Sequence, residues 1–217
     1  IPLEHLGGIS NAMAIRHVAA YGYYDTEEEI ADVARKVMFT HKNEEALSGG
    51  EFFARVTFRV INGELPSDAI QTVAVQMSPF IEAKVAQAIA KFKEATDENS
   101  ALFKEQFADD LAITSMARLW DIGRSEPIRV GKASPTEGTL PGAVYFILKY
   151  ADKENGLNDA LAANAMVGVD NASRAIAIGM VLGAFYGVNA IDEEWLHSLE
   201  QYEYCEGLLA KLPLLKA

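Results

Sequence analysis

The segment from residue 168 to 175 places several oxygen-bearing side chains at the start of an Ala- and Gly-rich helical pattern. Asp170 supplies a carboxylate, Asn171 an amide and Ser173 a hydroxyl within four positions. A helix N-terminus carries unpaired N–H groups, so side-chain oxygens and backbone donors would converge there. Hard cations such as Mg²⁺ take oxygen ligands, whereas anions accept hydrogen bonds from the N–H groups. We therefore regard this segment as the best candidate for ligand or metal chemistry.

The helix that would position this segment has glycine at every fourth position. Ala175 is followed by Gly179, Gly183 and Gly187, and four-residue spacing places them on one stripe. Each glycine costs about 1 kcal/mol in a helix, so we predict that a second helix packs closely here and offsets that cost. The uncharged run 175–191 lies at the short limit for a membrane span, and we predict a buried core helix instead.

Helical patterns dominate the remaining chain, and strand alternation is almost absent. Thr26 and Glu29 have the spacing of a capping box, which predicts a helix start. Further helices are predicted over 50–61, 66–93 with a kink near Ser78-Pro79, 139–150, 158–166, 173–186 and 192–212. The stretch 122–139 lacks periodicity and is predicted to be an irregular loop. The pattern predicts an all-α fold in a single domain, 1–217.

Composition narrows the classes of partner. The chain has 19 Lys and Arg against 31 Asp and Glu, a net charge of −12, which disfavours nucleic acid and anionic lipid. The single Cys205 excludes an intramolecular disulfide and a cysteine-rich zinc site. No signal-peptide pattern follows Ile1, so we expect a soluble intracellular protein with no membrane span. Because the first residue is not Met, we also expect the domain to have an N-terminal portion upstream of Ile1.

From Gly168 onwards the sequence resembles the ADP-ribosylglycohydrolases. In that family a Gly-Gly-Asp-Thr-Asp-Thr motif opens such a helix, and a short loop with Trp-Leu follows. The resemblance runs without gaps over Gly168–Gly187 and continues into Ile191–Leu196, with looser matches at Gly138–Phe146, Ser10–Arg16 and Phe39–His41. It implies an orthogonal multi-helix domain with the Asp170 loop near the centre of a cleft.

The resemblance also implies a metal site, in which this chain departs from the family pattern. Two Mg²⁺ ions are held there by the motif and by an N-terminal Asp-Asp-Thr cluster. Asp170 and Ser173 occupy ligand positions, which makes both candidate metal ligands and makes Asn171 and Ser173 candidate ligand-binding residues. The second Asp is replaced by Ala172, which has no oxygen ligand to offer, and the N-terminal cluster would precede Ile1. We predict that Mg²⁺ binds weakly or not at all.

A narrower likeness concerns the crystallin-like branch of the family, which contains the jellyfish J-crystallins and a related selenoprotein. Its typical Gly-Gly-Asp-Asn-Cys-His-Arg-Gly is similar to residues 168–175, although Val169, Ala172 and Ser173 differ from it. One hypothesis is therefore a protein with a degenerate metal site and a structural or interaction role, which binds an ADP-ribose-like ligand, a protein partner or a second copy. The alternative is an active Mg²⁺-dependent hydrolase that cleaves an N- or O-glycosidic bond of ADP-ribose. The residues upstream of Ile1 would discriminate the two, and no catalytic residue is assigned.

Two charged features are predicted to lie outside this site. Asp109-Asp110 occurs in the wrong order along the chain for the N-terminal cluster, and we predict a solvated acidic pair. Arg174 follows Ser173 directly and is predicted to turn away from the cleft and to pair with an acidic neighbour. No nucleophilic triad, phosphate loop or dinucleotide fingerprint is present.

Histidines and tryptophans have structural interpretations. We predict that His41 caps the C-terminus of a helix, with a place at the rim of the cleft as the alternative. His17 is predicted to be a packing or surface residue, and His197, among glutamates, to be exposed. Trp120 and Trp195 stand beside leucines and are predicted to anchor the core.

Overall fold

Helices account for nearly all of the regular structure in the computed structural model, which describes residues 8–10, 16–116, 119–120, 128–129, 135–168 and 170–215. Its α-helices are α1 Glu27–Lys36, α2 Glu44–Ile61, α3 Pro66–Ala74, α4 Pro79–Thr96, α5 Ala108–Ser115, α6 Thr136–Tyr150, α7 Gly156–Val167, α8 Asn171–Tyr186, α9 Glu193–Ser198 and α10 Tyr202–Leu209. Short 3-10 helices cover Val18–Gly22, Val188–Ala190 and Pro213–Leu215. A two-residue antiparallel pair joins β1 Leu119–Trp120 to β2 Ile128–Arg129. The predicted all-α class is confirmed.

Local capping explains where the first helices begin. Thr26 Oγ1 accepts a hydrogen bond from the Glu29 N–H at 3.3 Å and donates to Glu29 Oε2 at 2.6 Å, as the capping-box spacing predicts. Helix α2 begins at Glu44, six residues before the predicted start, because Asn43 Oδ1 accepts from the Glu45 N–H at 2.9 Å. Asn62 follows its last residue, in agreement with the predicted end.

Two predicted long helices are divided into shorter ones. The segment predicted over 66–93 consists of α3 and α4, because Ser78 caps α4 and Pro79, which has no N–H, occupies its first turn. The segment predicted over 192–212 consists of α9 and α10, separated at residues 199–201. Most of the predicted loop over 122–139 lies outside the described residues, but its last four positions already belong to α6.

The core lies where α2, α6 and α8 meet, with α4 packed on α6 and α7 on α8. Every residue of α6 from Gly138 to Ile147 is buried, so this helix runs through the interior. Helix α8 buries Ala177, Ile178, Val181 and Leu182, which confirms that the uncharged run is a core helix. None of the described helices combines the length and the hydropathy that a membrane-spanning segment requires.

The predicted close packing along the glycine stripe of α8 is wrong. Among the described residues, a Cβ added at Gly183 would meet no atom within 4 Å, and one at Gly179 would meet only Leu161, at 4.0 Å. At 100° per residue the glycines lie on roughly the opposite side of α8 from Ala177 and Val181, which face the core. Gly187 has a φ of 79° and follows the last residue of α8, so its role is to end the helix.

The tryptophan prediction is only partly tested. Trp195 in α9 is 41% exposed, so the prediction that it anchors the core is wrong. Neither α9 nor α10 buries a residue, so Trp195 lies in a segment that contributes no side chain to the core. The side chain of Trp120 lies outside the described residues.

Candidate functional site

A tight turn joins α7 to α8 and positions the candidate site. Gly168 follows α7 with a φ of 72°, and Asp170 precedes α8 with a φ of 49° and a ψ of 36°. Both have a positive φ, which glycine adopts freely. Asp170 lies in the left-handed α region, which aspartate tolerates better than most residues. The backbone of Val169, where the family motif has its second glycine, lies outside the described residues. The turn places the Asp170 side chain at the N-terminus of a sixteen-residue helix.

The Asp170 carboxylate has one satisfied and one unsatisfied oxygen. Ser173 Oγ donates to Asp170 Oδ1 at 2.7 Å. Asp170 Oδ2 is buried and has no hydrogen-bond partner among the described residues. Leaving such an oxygen unpaired costs free energy, and at a candidate site it marks a position where a donor or a cation could be accommodated. Of the residues predicted for the site, Asp170 and Ser173 are therefore brought into direct contact.

Asn171 has a different role in the geometry. Its Nδ2 donates to the Ala165 carbonyl oxygen at 3.2 Å, so the side chain turns back towards α7. Asn164 Nδ2 donates to the Asn171 carbonyl oxygen at 2.8 Å. These bonds fasten the turn to the last residues of α7. Ligand binding by Asn171 and Ser173 stays a prediction.

Arg174 lies beneath this turn and is fully buried. Its Nε donates to Asn164 Oδ1 at 2.8 Å and its Nη2 to the Gly168 carbonyl oxygen at 2.7 Å. Burial lowers the pKa of Arg174 to about 10, and the negative charge of Asp170 partly offsets this effect. The predicted acidic neighbour is therefore Asp170, which acts on Arg174 through its charge. The hydrogen bonds of Arg174 to described residues at Asn164 and Gly168 go to neutral oxygens.

Sequence reasoning missed two residues that support Arg174. Asn164 has no predicted role, although an amide among the alanines of residues 160–165 is a signal for a buried polar contact. Gly142 in α6 provides space, because a Cβ there would lie 3.0 Å from Arg174 Cδ. Asn164 lies on α7 and Gly142 on α6, whereas Arg174 lies on α8. No local sequence pattern therefore predicts these contacts.

The described residues do not by themselves form a donor set for two Mg²⁺ ions. Mg²⁺ requires octahedral oxygen coordination, and near Asp170 the motif offers Oδ2 and the Ser173 hydroxyl. Ala172 is exposed and has no side-chain donor. In the described part of the chain no group of three or more His, Cys, Asp or Glu could hold a metal ion. The expectation of weak or absent Mg²⁺ binding stays a prediction.

The acidic pair Asp109-Asp110 is not simply solvated, which corrects the sequence-based interpretation. Asp109 Oδ1 accepts from Tyr145 Oη at 2.7 Å and from Lys149 Nζ at 2.5 Å. Burial, together with the Asp109 charge, raises the pKa of Tyr150 to about 12. A cavity of about 320 Å³ opens beside this cluster between α5, α6 and the end of α7. Asp109 therefore connects α5 to α6 as part of the fold.

His41 is not the cap of a helix, since α1 ends at Lys36. Its Nδ1 lies 2.8 Å from Thr40 Oγ1, and its ring packs so closely on Gly8 that a side chain at position 8 would overlap it. Burial and the charge of Arg16 lower the pKa of His41. The lowered pKa favours the neutral imidazole, whose ring packs on Gly8. The predicted place of His41 at a cleft rim stays a prediction.

The other two predictions about histidines agree with the structure. His17 is buried with its Nε2 3.1 Å from Tyr21 Oη, which is a packing position. His197 on α9 is exposed. Neither lies near the start of α8 along the chain, and neither is needed to describe the candidate site.

One comparison with known proteins identifies a family. The sequence model described as ADP-ribosylglycohydrolase matches residues 5–216, which is nearly the whole chain. No curated protein matches the sequence significantly.

Proposed function

The chain belongs to the ADP-ribosylglycohydrolase family, and from this membership we propose that it is a hydrolase-like protein that binds an ADP-ribose-type ligand without two-metal hydrolysis. In this proposal the metal site is degenerate and the role is structural or an interaction role. The Asp-Asn-x-x-Arg pattern over 170–174 further suggests kinship with the crystallin-like branch.

The observation that carries the proposal is the buried charge of Arg174 next to Asp170. In a metal site the ion compensates its carboxylate ligands, whereas here the electrostatic interaction between Asp170 and Arg174 already provides a positive charge. A divalent cation at Asp170 would in addition be repelled by the guanidinium. Replacement of a carboxylate by Ala172 weakens such a site further, because a hard cation then loses a charged oxygen ligand.

Ligand binding would use the atoms that the turn leaves unsatisfied. Asp170 Oδ2 is an acceptor without a partner in the described residues, and a hydroxyl of a ribose would satisfy it. The N-terminal N–H groups of α8 favour the diphosphate of such a ligand. Ser173 holds the carboxylate through Oδ1, so it orients Asp170 for this contact.

A second candidate function rests on the same unpaired oxygen. Asp170 Oδ2 is also a ligand position for Mg²⁺, and further carboxylate ligands would complete an active hydrolase site. Asp170 would then be a metal ligand and Ser173 a neighbouring oxygen ligand. The two candidates differ in whether glycosidic bond cleavage depends on Mg²⁺ and on Asp170.

The test measures release of free ADP-ribose from ADP-ribosylated arginine, serine and poly-ADP-ribose in the presence of Mg²⁺. We expect no release above background, and no calorimetric Mg²⁺ binding tighter than roughly 1 mM, the weak end for oxygen-ligand sites. Asp170→Asn is the control, because asparagine tolerates the left-handed backbone and keeps the shape of the side chain. Turnover that is lost in Asp170→Asn would establish the active hydrolase instead.

Ligand binding is tested separately, with ADP-ribose itself as the titrant and Mg²⁺ excluded by a chelator. Binding to the unaltered chain that weakens about tenfold in Asp170→Asn supports the proposed contact, since one charge-assisted hydrogen bond is worth about 1.5–3 kcal/mol. Equal affinity in both proteins, or no binding to either, would contradict it.

A further inference from the structure

The C-terminal segment from residue 192 to 215 is attached to the molecule but contributes nothing to its core. Helices α9 and α10 and the 3-10 helix after them bury no side chain. Trp195, Leu199, Tyr204, Leu208 and Leu209 are each between 41% and 65% exposed. Single exposed apolar residues are common, but five within fifteen positions form an apolar surface that calls for an explanation.

Helix α10 presents these side chains in an ordered pattern. At 100° per residue, Tyr204, Leu208 and Leu209 fall on one side, while Glu203 and Glu206 fall on the other. An amphipathic helix buries its apolar side in some interface, and an isolated helix of eight residues is marginal in water. We therefore expect a bound partner to stabilise the helical form of α10.

The segment is held in place at its end. Leu212 packs directly over Gly22, in the 3-10 helix Val18–Gly22, and leaves no room there for a side chain. The attachment fixes the position of α10 on the surface while its apolar side stays exposed. This arrangement presents a helix to a partner without requiring the partner to order the whole segment.

Charge indicates the kind of partner. Residues 192–215 contain six acidic residues and one lysine, Lys211, so much of the net charge of −12 is concentrated here. A second copy of the chain would bring the same negative charge to the interface, and anionic membranes or nucleic acid would be repelled. A positively charged partner with an apolar side complements both properties of the surface.

We propose that α9 and α10 form a docking surface for a basic amphipathic helix of another protein. The apolar side of that helix packs on Tyr204, Leu208 and Leu209, and its lysines or arginines pair with Glu203 and Glu206. Recognition of this kind uses apolar anchors at helical spacing together with flanking charges. The inference does not depend on the proposed function, because no residue of the Asp170 turn takes part.

The experiment uses a model peptide of eighteen residues with leucines on one side and lysines on the other. Its matched control has glutamate at every lysine position. Calorimetry should detect binding of the lysine peptide only, and binding should weaken with added salt because charge pairing is screened. Hydrogen exchange of the α10 amides should slow in the complex, since binding stabilises the helix.

Variants locate the site of binding. Leu208→Ser with Leu209→Ser should weaken binding at least tenfold, and Glu203→Gln with Glu206→Gln should weaken it about threefold to tenfold. The matched controls are Leu65→Ser with Val75→Ser, which are exposed apolar residues elsewhere, and Glu82→Gln with Glu98→Gln, which are exposed acids elsewhere. The controls should bind as the unaltered chain does. None of these side chains is buried, so folding is expected to persist and is checked by thermal unfolding.

Three results would overturn the proposal. Equal binding of both peptides would mean that charge does not select the partner. Equal weakening by the surface variants and their controls would mean that the peptide binds by general attraction to an acidic protein. Sedimentation that shows a dimer, lost in Leu208→Ser with Leu209→Ser, would mean that a second copy covers the surface.

Discussion

Two arginines in this molecule are held in opposite environments. Arg174 at the start of α8 is fully buried, and it donates to the oxygens of Asn164 and Gly168. Arg55 on α2 is partly exposed and pairs with the carboxylates of Glu27, Glu28 and Glu51. Burial lowers the pKa of Arg174 to about 10, whereas hydrogen bonds to the glutamates, Glu28 first, raise the pKa of Arg55.

The difference shows where this fold depends on a charged group. A charge inside the protein costs free energy unless its neighbours are arranged for it, and those neighbours lose their partner if it is removed. A charge near the surface exchanges protein partners for water at little cost. We therefore expect the start of α8 to be sensitive to substitution and the network between α1 and α2 to be tolerant.

The largest expected effect tests this contrast directly. Arg174→Met should lower the free energy of unfolding by about 3–5 kcal/mol, because Asn164 and Gly168 keep buried acceptors without a donor and Asp170 loses its compensating charge. The matched change Arg55→Met keeps a long apolar stem and should cost about 1 kcal/mol. Chemical denaturation of both variants measures the difference. Equal losses would mean that burial does not separate the two environments.

A smaller change in the free energy of unfolding, of opposite sign, is expected on the other side of α8. Gly183→Ala should raise the free energy of unfolding by about 0.5–1 kcal/mol, since alanine favours a helix and its Cβ would meet no atom of the described chain within 4 Å. The same change at Gly187, which has a φ of 79°, should be destabilising because alanine resists that backbone conformation. A loss of stability in Gly183→Ala would instead support the close helix packing that the glycine spacing predicts.

The smallest expected effect is on the melting temperature at acidic pH. Hydrogen bonds from Arg55 and Arg35 lower the pKa values of Glu28 and Glu44 from 4.5. These carboxylates therefore stabilise the fold at pH values above 4.5, and the contribution is lost as pH falls through their lowered pKa values. The melting temperature should decline below about pH 4.5, and less steeply in Arg55→Met, in which Glu28 has lost its partner. Identical pH profiles in the two proteins would show that the pair of Glu28 and Arg55 does not contribute to the stability of the fold.

Local sequence signals predicted much of the fold, and they failed where distant contacts decide. Thr26 and Glu29 lie three residues apart, so their capping box forms within the helix that they start. Trp195 is predicted to be a core residue because it stands beside Leu196, yet 41% of it is exposed. Large apolar side chains tend to be buried, but they become buried only where other elements pack on them.

The candidate site divides in the same way. The motif over 168–175 located the turn, Asp170 and Ser173, because their contact spans only three residues. The environment of Arg174 depends on Asn164 on α7 and on the space at Gly142 on α6. Arg174 and Gly142 are 32 positions apart, and only the packing of α6 on α8 brings them together.

What the sequence determined by itself is the helical class and the position of the motif, since periodicity and capping act over a few residues. Tertiary structure decided which side of α8 faces the core, because that depends on how much apolar area each side buries against other helices. It also decided that the charge of Arg174 lies in the interior, where its pKa falls to about 10. Electrostatic environment is set by the atoms that surround a group, and for Arg174 the helices α6 and α7 supply them.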